Sequence, residues 1–285
     1  MACRAETLLM GLILDNPSEL SVAQRQLLIL GADEVRTDRV NVFGYGPPGS
    51  GKSYFASTFP RPFLIDTDQN ALTVKSRVAS GEVENFPILQ TTDWKTVLEI
   101  LSDPVHRLPS LFHGTRWEGY QPQTLIVDTL STLEGYIFDE ILDQAAKSAK
   151  VSQNTWNELK RKILAITRAA WNLPLNTVLL AHDQGGRQQT ADMQKKDPGP
   201  LLTGSLIKQV PAQCDIYLYF EARTGVGTIE YVAHTRPTLD GMPARVNGIE
   251  LPSVNGVLVN PTYAKIRESL DKLESQTRQR MEKTE

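Results

Sequence analysis

Eight consecutive residues, Gly46-Pro47-Pro48-Gly49-Ser50-Gly51-Lys52-Ser53, follow the pattern G-x-x-x-x-G-K-[ST] in full, with Tyr54 next in line. Glycines at such spacing let backbone N–H groups wrap around a phosphate chain, and the start of a following helix adds a partial positive charge. Lys52 supplies a cation to the β- and γ-phosphates, and Ser53 offers a hydroxyl to Mg²⁺. A plain Gly-rich turn would need neither residue. The chemistry implied is binding of ATP with Mg²⁺ along Gly46, Pro47, Pro48, Gly49, Ser50, Gly51, Lys52, Ser53 and Tyr54. A second position for Mg²⁺ should be an acid at the end of an apolar strand, and Thr124-Leu125-Ile126-Val127-Asp128 offers Asp128.

These residues need a scaffold that ends several strands at one edge. The chain alternates short β-rich runs with helical ones, which predicts an α/β fold on a mainly parallel sheet. Strands are expected at 39–45, 62–66, 86–90, 124–128 and 177–181. The run 124–128 is apolar on both sides of its zigzag, as a central strand covered on both faces should be. Helices are expected from Lys52 to Pro60, over 71–79, from an N-cap at Thr92 through Leu101, over 132–146 and 152–171, and near 204–210. In the helix over 152–171, Trp156, Leu159, Ile163, Ile166 and Ala170 recur at three- and four-residue spacing. Asp183 to Pro200 reads as a long polar, Gly-rich loop. Residues 215–221 and 228–233, joined at Thr224-Gly225-Val226-Gly227, read as a hairpin appended to the sheet. Asn260-Pro261 is expected as N-cap and first turn of a terminal helix with Ile266, Leu270 and Leu273 on one face.

Phe63 to Leu72 (FLIDTDQNAL), Thr124 to Leu133 (TLIVDTLSTL), and TVLLAHDQ followed by Leu201 to Ala222 resemble, in order and spacing, the ATPase core of RecA-like proteins. The resemblance is closest to RadA-type proteins and to the small RecA-like single-strand annealing proteins of bacteriophages, an AAA-type nucleotide-binding family. It implies a RecA-like P-loop NTPase core over 39–250. Residues 1–38 would form an N-terminal helical segment able to link subunits, and 251–285 a C-terminal extension with an amphipathic helix. The same resemblance makes Asp68 the carboxylate that orients and deprotonates the attacking water, although the family more often has Glu there. A turn-capping role beside Asp66 is the alternative. His182 takes the position of the polar sensor of the γ-phosphate, or is simply a hydrogen-bonded histidine at a strand end. Arg245 fits the arginine of a K-x-R pattern that reaches the neighbouring subunit's nucleotide, but Pro243 stands where the lysine would be. Arg236 is the second candidate.

In RecA-like proteins the loops after the fourth and fifth strands hold single-stranded DNA, which here directs attention to Arg187, Lys195 and Lys196, with Lys147, Lys150, Lys160, Arg161 and Lys162 nearby. A solvated charged face is the plainer reading, and the long loop offers no aromatic for base stacking. The function implied is ATP hydrolysis coupled to single-stranded DNA in recombination or strand annealing by a homo-oligomer, ring or filament, with the nucleotide between subunits. A single-strand-binding protein is a candidate partner.

Composition neither helps nor opposes this. Across 285 residues, 30 basic and 33 acidic side chains give a net charge of −3, so DNA contact would rest on local patches. The two cysteines, Cys3 and Cys214, exclude a disulfide framework and a zinc site, and reduced cytosol is the expected compartment. The apolar run Thr7 to Leu14 is less than half a bilayer span, so no membrane contact is expected. Two other classes stay open: a small-molecule P-loop kinase, which lacks an obvious Arg-rich lid, and a nucleotide-gated DNA-binding or motor subunit with slow hydrolysis. No N-K-x-D guanine-reading motif occurs.

Overall fold

The computed structural model describes residues 37–144, 151–184, 199–225 and 228–282. Strands β1 (Asn41–Gly46), β2 (Pro62–Asp66), β3 (Ile88–Gln90), β4 (Thr124–Asp128), β5 (Asn176–His182), β6 (Ile216–Thr224), β7 (Ile229–His234), β8 (Arg245–Val246) and β9 (Val257–Val259) form one sheet. Its order is β3-β2-β4-β5-β1-β6-β7-β9, with β8 paired to the start of β6. From β3 to β6 all neighbours are parallel. The remaining pairings are antiparallel. The arrangement is the expected one: a mainly parallel sheet flanked by helices, with an antiparallel hairpin appended.

The helices are α1 (Lys52–Ser57), α2 (Leu72–Ala79), α3 (Trp94–Ser102), α4 (Pro104–Phe112), α5 (Leu130–Gln144), α6 (Gln153–Trp171), α7 (Leu206–Gln209) and α8 (Tyr263–Met281). Two apolar clusters cover the two faces of the sheet. Leu125 and Val127 of β4 point into one, with Leu133 and Ile137 of α5 and Ile163 and Ile166 of α6. Ile126 points into the other, with Phe55 of α1 and Ile266 and Leu270 of α8. A strand buried on both faces cannot alternate apolar with polar, which is why β4 and β5 read as continuous apolar runs. Each fully buried Leu, Ile or Val contributes about 1.5–3 kcal/mol.

Several boundaries differ from the expected ones. The N-cap of α3 is Asp93, not Thr92: its carboxylate accepts from the N–H groups of Lys95 at 3.0 Å and Thr96 at 3.3 Å. Helix α4 was not anticipated, because Pro109 inside it masks the helical pattern; Asp103 caps it and Pro104 opens it. Asn260-Pro261 is not the cap of α8 either. Asn260 takes a left-handed turn at φ 44 and donates to the carbonyl of Tyr231, and Thr262 holds the cap position. Trp156, placed by its spacing on the buried stripe of α6, is 37% exposed and stacks on Phe138 of α5 with ring centroids 4.8 Å apart. Beyond residue 250 the chain adds the outermost strand, β9, which pairs with β7. Among the described residues, no helix is long and apolar enough to cross a membrane.

Candidate nucleotide site

Parallel strands end at the same edge, and the register decides which residues meet there. Gly46 of β1 lies opposite His182 of β5, and Asp66 of β2 lies opposite Asp128 of β4. The loop after β1, the Thr67-Asp68 step after β2, Asp128-Thr129 and His182 therefore converge. The loop itself is sterically dictated. A Cβ on Gly46 would lie 2.3 Å from the carbonyl oxygen of Phe220 on β6, so the backbones can approach only with glycine there. Gly51, at φ 89, takes the N-cap position of α1, and a Cβ there would lie 2.9 Å from the ring of Tyr231. With no side chain among the described residues capping it, the first turn of α1 leaves its N–H groups to an incoming anion.

Lys52 is buried at 6% exposure, and its ammonium donates to the carbonyls of Gly46 and Pro47, each at 2.8 Å. Burial lowers its pKa, against the charges of Asp128, Asp183 and Asp68. Ser53 Oγ donates to Asp128 Oδ2 at 2.5 Å, so the hydroxyl and the acid expected to share a cation already share a hydrogen bond. Desolvation, helped by the charges of Asp68 and Asp66 and opposed by the Ser53 bond and Lys52, pushes Asp128 up to about 6. A carboxylate raised by burial beside a hydroxyl and other acids suits a hard divalent cation, which takes oxygen ligands. The donor set fits Mg²⁺.

Asp68 is held from three sides. Its Oδ2 faces His182 Nε2 at 3.1 Å, and its Oδ1 accepts from Thr129 Oγ1 at 3.1 Å. Burial alone would raise its pKa, but the bonds from His182, Thr132 and Thr129 together with the charge of His182 outweigh it, and the pKa is lowered. With Asp68 ionised, Nε2 carries the hydrogen, and Nδ1 of His182 is buried without a hydrogen-bond partner among the described residues. The ends of β2 and β4 are laced together beneath this pair: Thr67 N–H donates to the Asp128 carbonyl at 2.8 Å, and Thr67 Oγ1 to the Thr129 carbonyl at 2.7 Å.

Of the other expected site residues, Tyr54 lies under the Arg77 guanidinium, 4.6 Å from its ring centroid. Arg245 pairs with Tyr217 near the start of β6, away from the phosphate-loop edge. Its guanidinium donates to the carbonyls of Pro211 at 3.0 Å and Cys214 at 3.2 Å. Arg236 is exposed, and its side chain packs over Gly256. Arg187, Lys195, Lys196, Lys147 and Lys150 lie outside the described residues, as does the segment 1–36. Lys162 is committed within the fold, to Glu158 at 3.0 Å and to the face of Trp94 at 4.8 Å. Sequence reasoning overlooked Thr67, Thr129 and Tyr231. The two threonines sit directly beside the acids singled out, and that adjacency was the available signal; Tyr231 reaches the loop only through strand pairing.

The sequence profile of the AAA domain family matches residues 38–245. No curated protein matches the chain. Among solved structures, a KaiC-like protein from the hyperthermophilic archaeon Pyrococcus horikoshii is 10% identical, with a TM-score of 0.42, over 78% of this chain and 90% of its own. The flagellar accessory protein FlaH from Methanocaldococcus jannaschii is 11% identical, with a TM-score of 0.34, over 78% of this chain and 89% of its own.

Proposed function

The chain belongs to the AAA domain family, and from that premise we propose that it is a P-loop ATPase of RecA-like type that hydrolyses ATP at the edge formed by β1, β2, β4 and β5 and acts on single-stranded DNA as a homo-oligomer. The observation that carries the hydrolytic part is the convergence of Ser53, Asp128 and Asp68. Ser53 and Asp128 share a hydrogen bond, and Asp68 follows the strand paired to that of Asp128.

Magnesium-bound ATP brings the scissile bond and the neutralisation of its own phosphates. The chain's residues supply the rest. Backbone N–H groups from Gly49 to Ser53 and the Lys52 ammonium, on leaving the Gly46 and Pro47 carbonyls, take the phosphates. Asp68 accepts a proton from water, and His182 sets when it can. Arg245, or Arg236, completes the charge from a neighbouring subunit, a contribution of about 10³–10⁵ in rate where such a finger operates.

The single-strand reading rests on the resemblance of the segments 63–72, 124–133 and 201–222 to RecA-like proteins, and annealing or strand pairing is its implied outcome. A second reading has a specific observation behind it: Asp68 is held by His182 and Thr129, which suits a nucleotide-gated subunit with slow hydrolysis. Fluorescence anisotropy of a labelled oligo-dT with and without ATP, together with ATP turnover, separates the two. DNA-stimulated turnover and salt-sensitive binding that weakens in the triple variant Arg187→Ala, Lys195→Ala, Lys196→Ala support the DNA-dependent ATPase. Nucleotide-dependent DNA binding without stimulated turnover supports the gated subunit. Turnover indifferent to DNA, with no binding, overturns both and returns attention to a small-molecule kinase.

A further inference from the structure

Glu134 is a buried acid that the hydrolytic site does not use. At 6% exposure it lies on α5, one turn beyond Ser131, and both its carboxylate oxygens face the backbone N–H of Thr203, at 3.0 and 3.2 Å. Burial raises its pKa against the bonds from Thr203. A buried carboxylate needs good partners, and the one that the geometry gives Glu134 among the described residues is Thr203. Both Ser131 and Glu134 line a cleft of about 660 Å³ between α5, α6 and the segment from Leu201 to Gly204.

The same short stretch of chain carries two further hooks. Thr129 Oγ1 reaches Asp68 and also accepts from the N–H of Thr132 at 3.3 Å. Ser131 Oγ accepts from the N–H of His182 at 3.0 Å. Residues 129, 131 and 134 thus tie, in order, Asp68, the end of β5 and the loop segment at Thr203. The described feet of the connection after β5 are themselves cross-linked: Leu201 N–H donates to the His182 carbonyl at 2.7 Å, and Gln184 N–H to the Gly199 carbonyl at 3.1 Å.

We propose that Glu134 is a positioning residue that, with Ser131, fastens both feet of the connection between β5 and α7 to α5, so that a shift of Asp68 and Thr129 on nucleotide binding reaches Thr203. The proposal rests on the nucleotide-site reading above. It adds a second path from that site, through α5, beside the one through His182.

Hydrogen exchange with and without Mg²⁺ and the slowly hydrolysed analogue ATPγS tests it, on wild type, Glu134→Gln and Ser131→Ala. In wild type, the analogue should protect the peptide covering 41–57 and change exchange in the peptide covering 199–206. Glu134→Gln keeps the shape of the side chain but loses the charge that holds the N–H of Thr203. Its 199–206 peptide should exchange at least about threefold faster and stop responding to the analogue, while 41–57 stays protected. Ser131→Ala should likewise weaken the response, and it carries the test if Glu134→Gln does not fold. A wild-type 199–206 peptide indifferent to the analogue while 41–57 is protected overturns the coupling alone. Folded variants that keep the full wild-type response overturn it too. If 41–57 is not protected in wild type, the nucleotide-site reading has failed and the coupling falls with it.

Discussion

His182 Nε2 lies 3.1 Å from Asp68 Oδ2, which binds the end of β5 to the turn after β2 across the intervening β4. The acid expected to receive a proton from water is therefore occupied by the residue expected to sense the γ-phosphate. A carboxylate oxygen has two lone pairs, so Oδ2 can hold His182 and still accept from a water, but only along its remaining direction. The pair has the form of a latch, and its energetics can be measured.

Asp68→Asn should destabilise the protein at neutral pH by about 1–2 kcal/mol, because bonds to a charged acceptor become bonds to a neutral one. The folded pKa of Asp68 is lowered from 3.8. Its contribution is therefore complete above the unfolded value and lost as pH falls through the lower folded one. Thermal melts of wild type and Asp68→Asn should differ fully at pH 7, begin to approach each other only below about pH 4, and converge once the pH is under the lowered folded value.

Asp128 runs the other way. Its folded pKa is raised to about 6. The folded state binds the proton more tightly than the unfolded chain, so stability is gained as pH falls through 6 and the ionised group is a burden above it. Asp128→Asn should therefore stabilise the nucleotide-free protein at pH 8 by about 2–3 kcal/mol, with the gain fading towards pH 4. The same variant should lose the extra thermal stability that wild type gains from Mg²⁺ and ATP. Stabilisation with retained magnesium dependence would contradict the assignment.

Gly46→Ala should fail outright, since its Cβ would meet the backbone oxygen of Phe220 and β6 would have to move. A loss of at least about 3 kcal/mol is expected from chemical denaturation. Gly51→Ala separates two causes. Adding Tyr231→Ala should remove the ring contact and recover part of the loss, leaving about 1–2 kcal/mol from the left-handed backbone at φ 89. Full recovery would mean that the ring alone was responsible.

The two arginines make distinct expectations. Arg245 holds the Pro211 and Cys214 carbonyls, so Arg245→Ala should lower the melting temperature whatever its catalytic part. If Arg245 completes a neighbour's site, mixing Arg245→Ala with Lys52→Ala should restore some turnover, because one interface then joins an intact loop to an intact arginine. Arg236→Ala in the same mixture should restore turnover only if Arg236 is the completing residue.

The legibility of the sequence followed the constraints on each segment. The loop from Gly46 to Ser53 was readable because steric and chemical demands fix almost every residue in it. Strands β2 and β4 matched their expected limits, Pro62–Asp66 and Thr124–Asp128, because burial on both faces leaves only apolar residues between turn signals. What was not readable depended on partners distant in sequence. The Asp68–His182 contact spans 114 residues, and Tyr231 meets Gly51 only because β6 and β7 pair above the loop. Strands β8 and β9 are too short to carry a period, and α4 hides behind Pro109. The cap of α3 was missed by one residue because Thr92 and Asp93 are both good caps, and only geometry chose Asp93.

Lys52, Ser53, Asp128 and Asp68 are proposed to form one hydrolytic site. Its most direct measurement is phosphate release from ATP at low salt by wild type, Lys52→Ala and Asp68→Asn, alongside binding of a fluorescent ATP analogue, with and without oligo-dT. Wild type should bind and turn over. Lys52→Ala should lose binding by at least about a hundredfold, and Asp68→Asn should keep binding within a few-fold while losing most of its turnover. Turnover by Asp68→Asn equal to wild type, or nucleotide binding undisturbed in Lys52→Ala, would contradict that assignment.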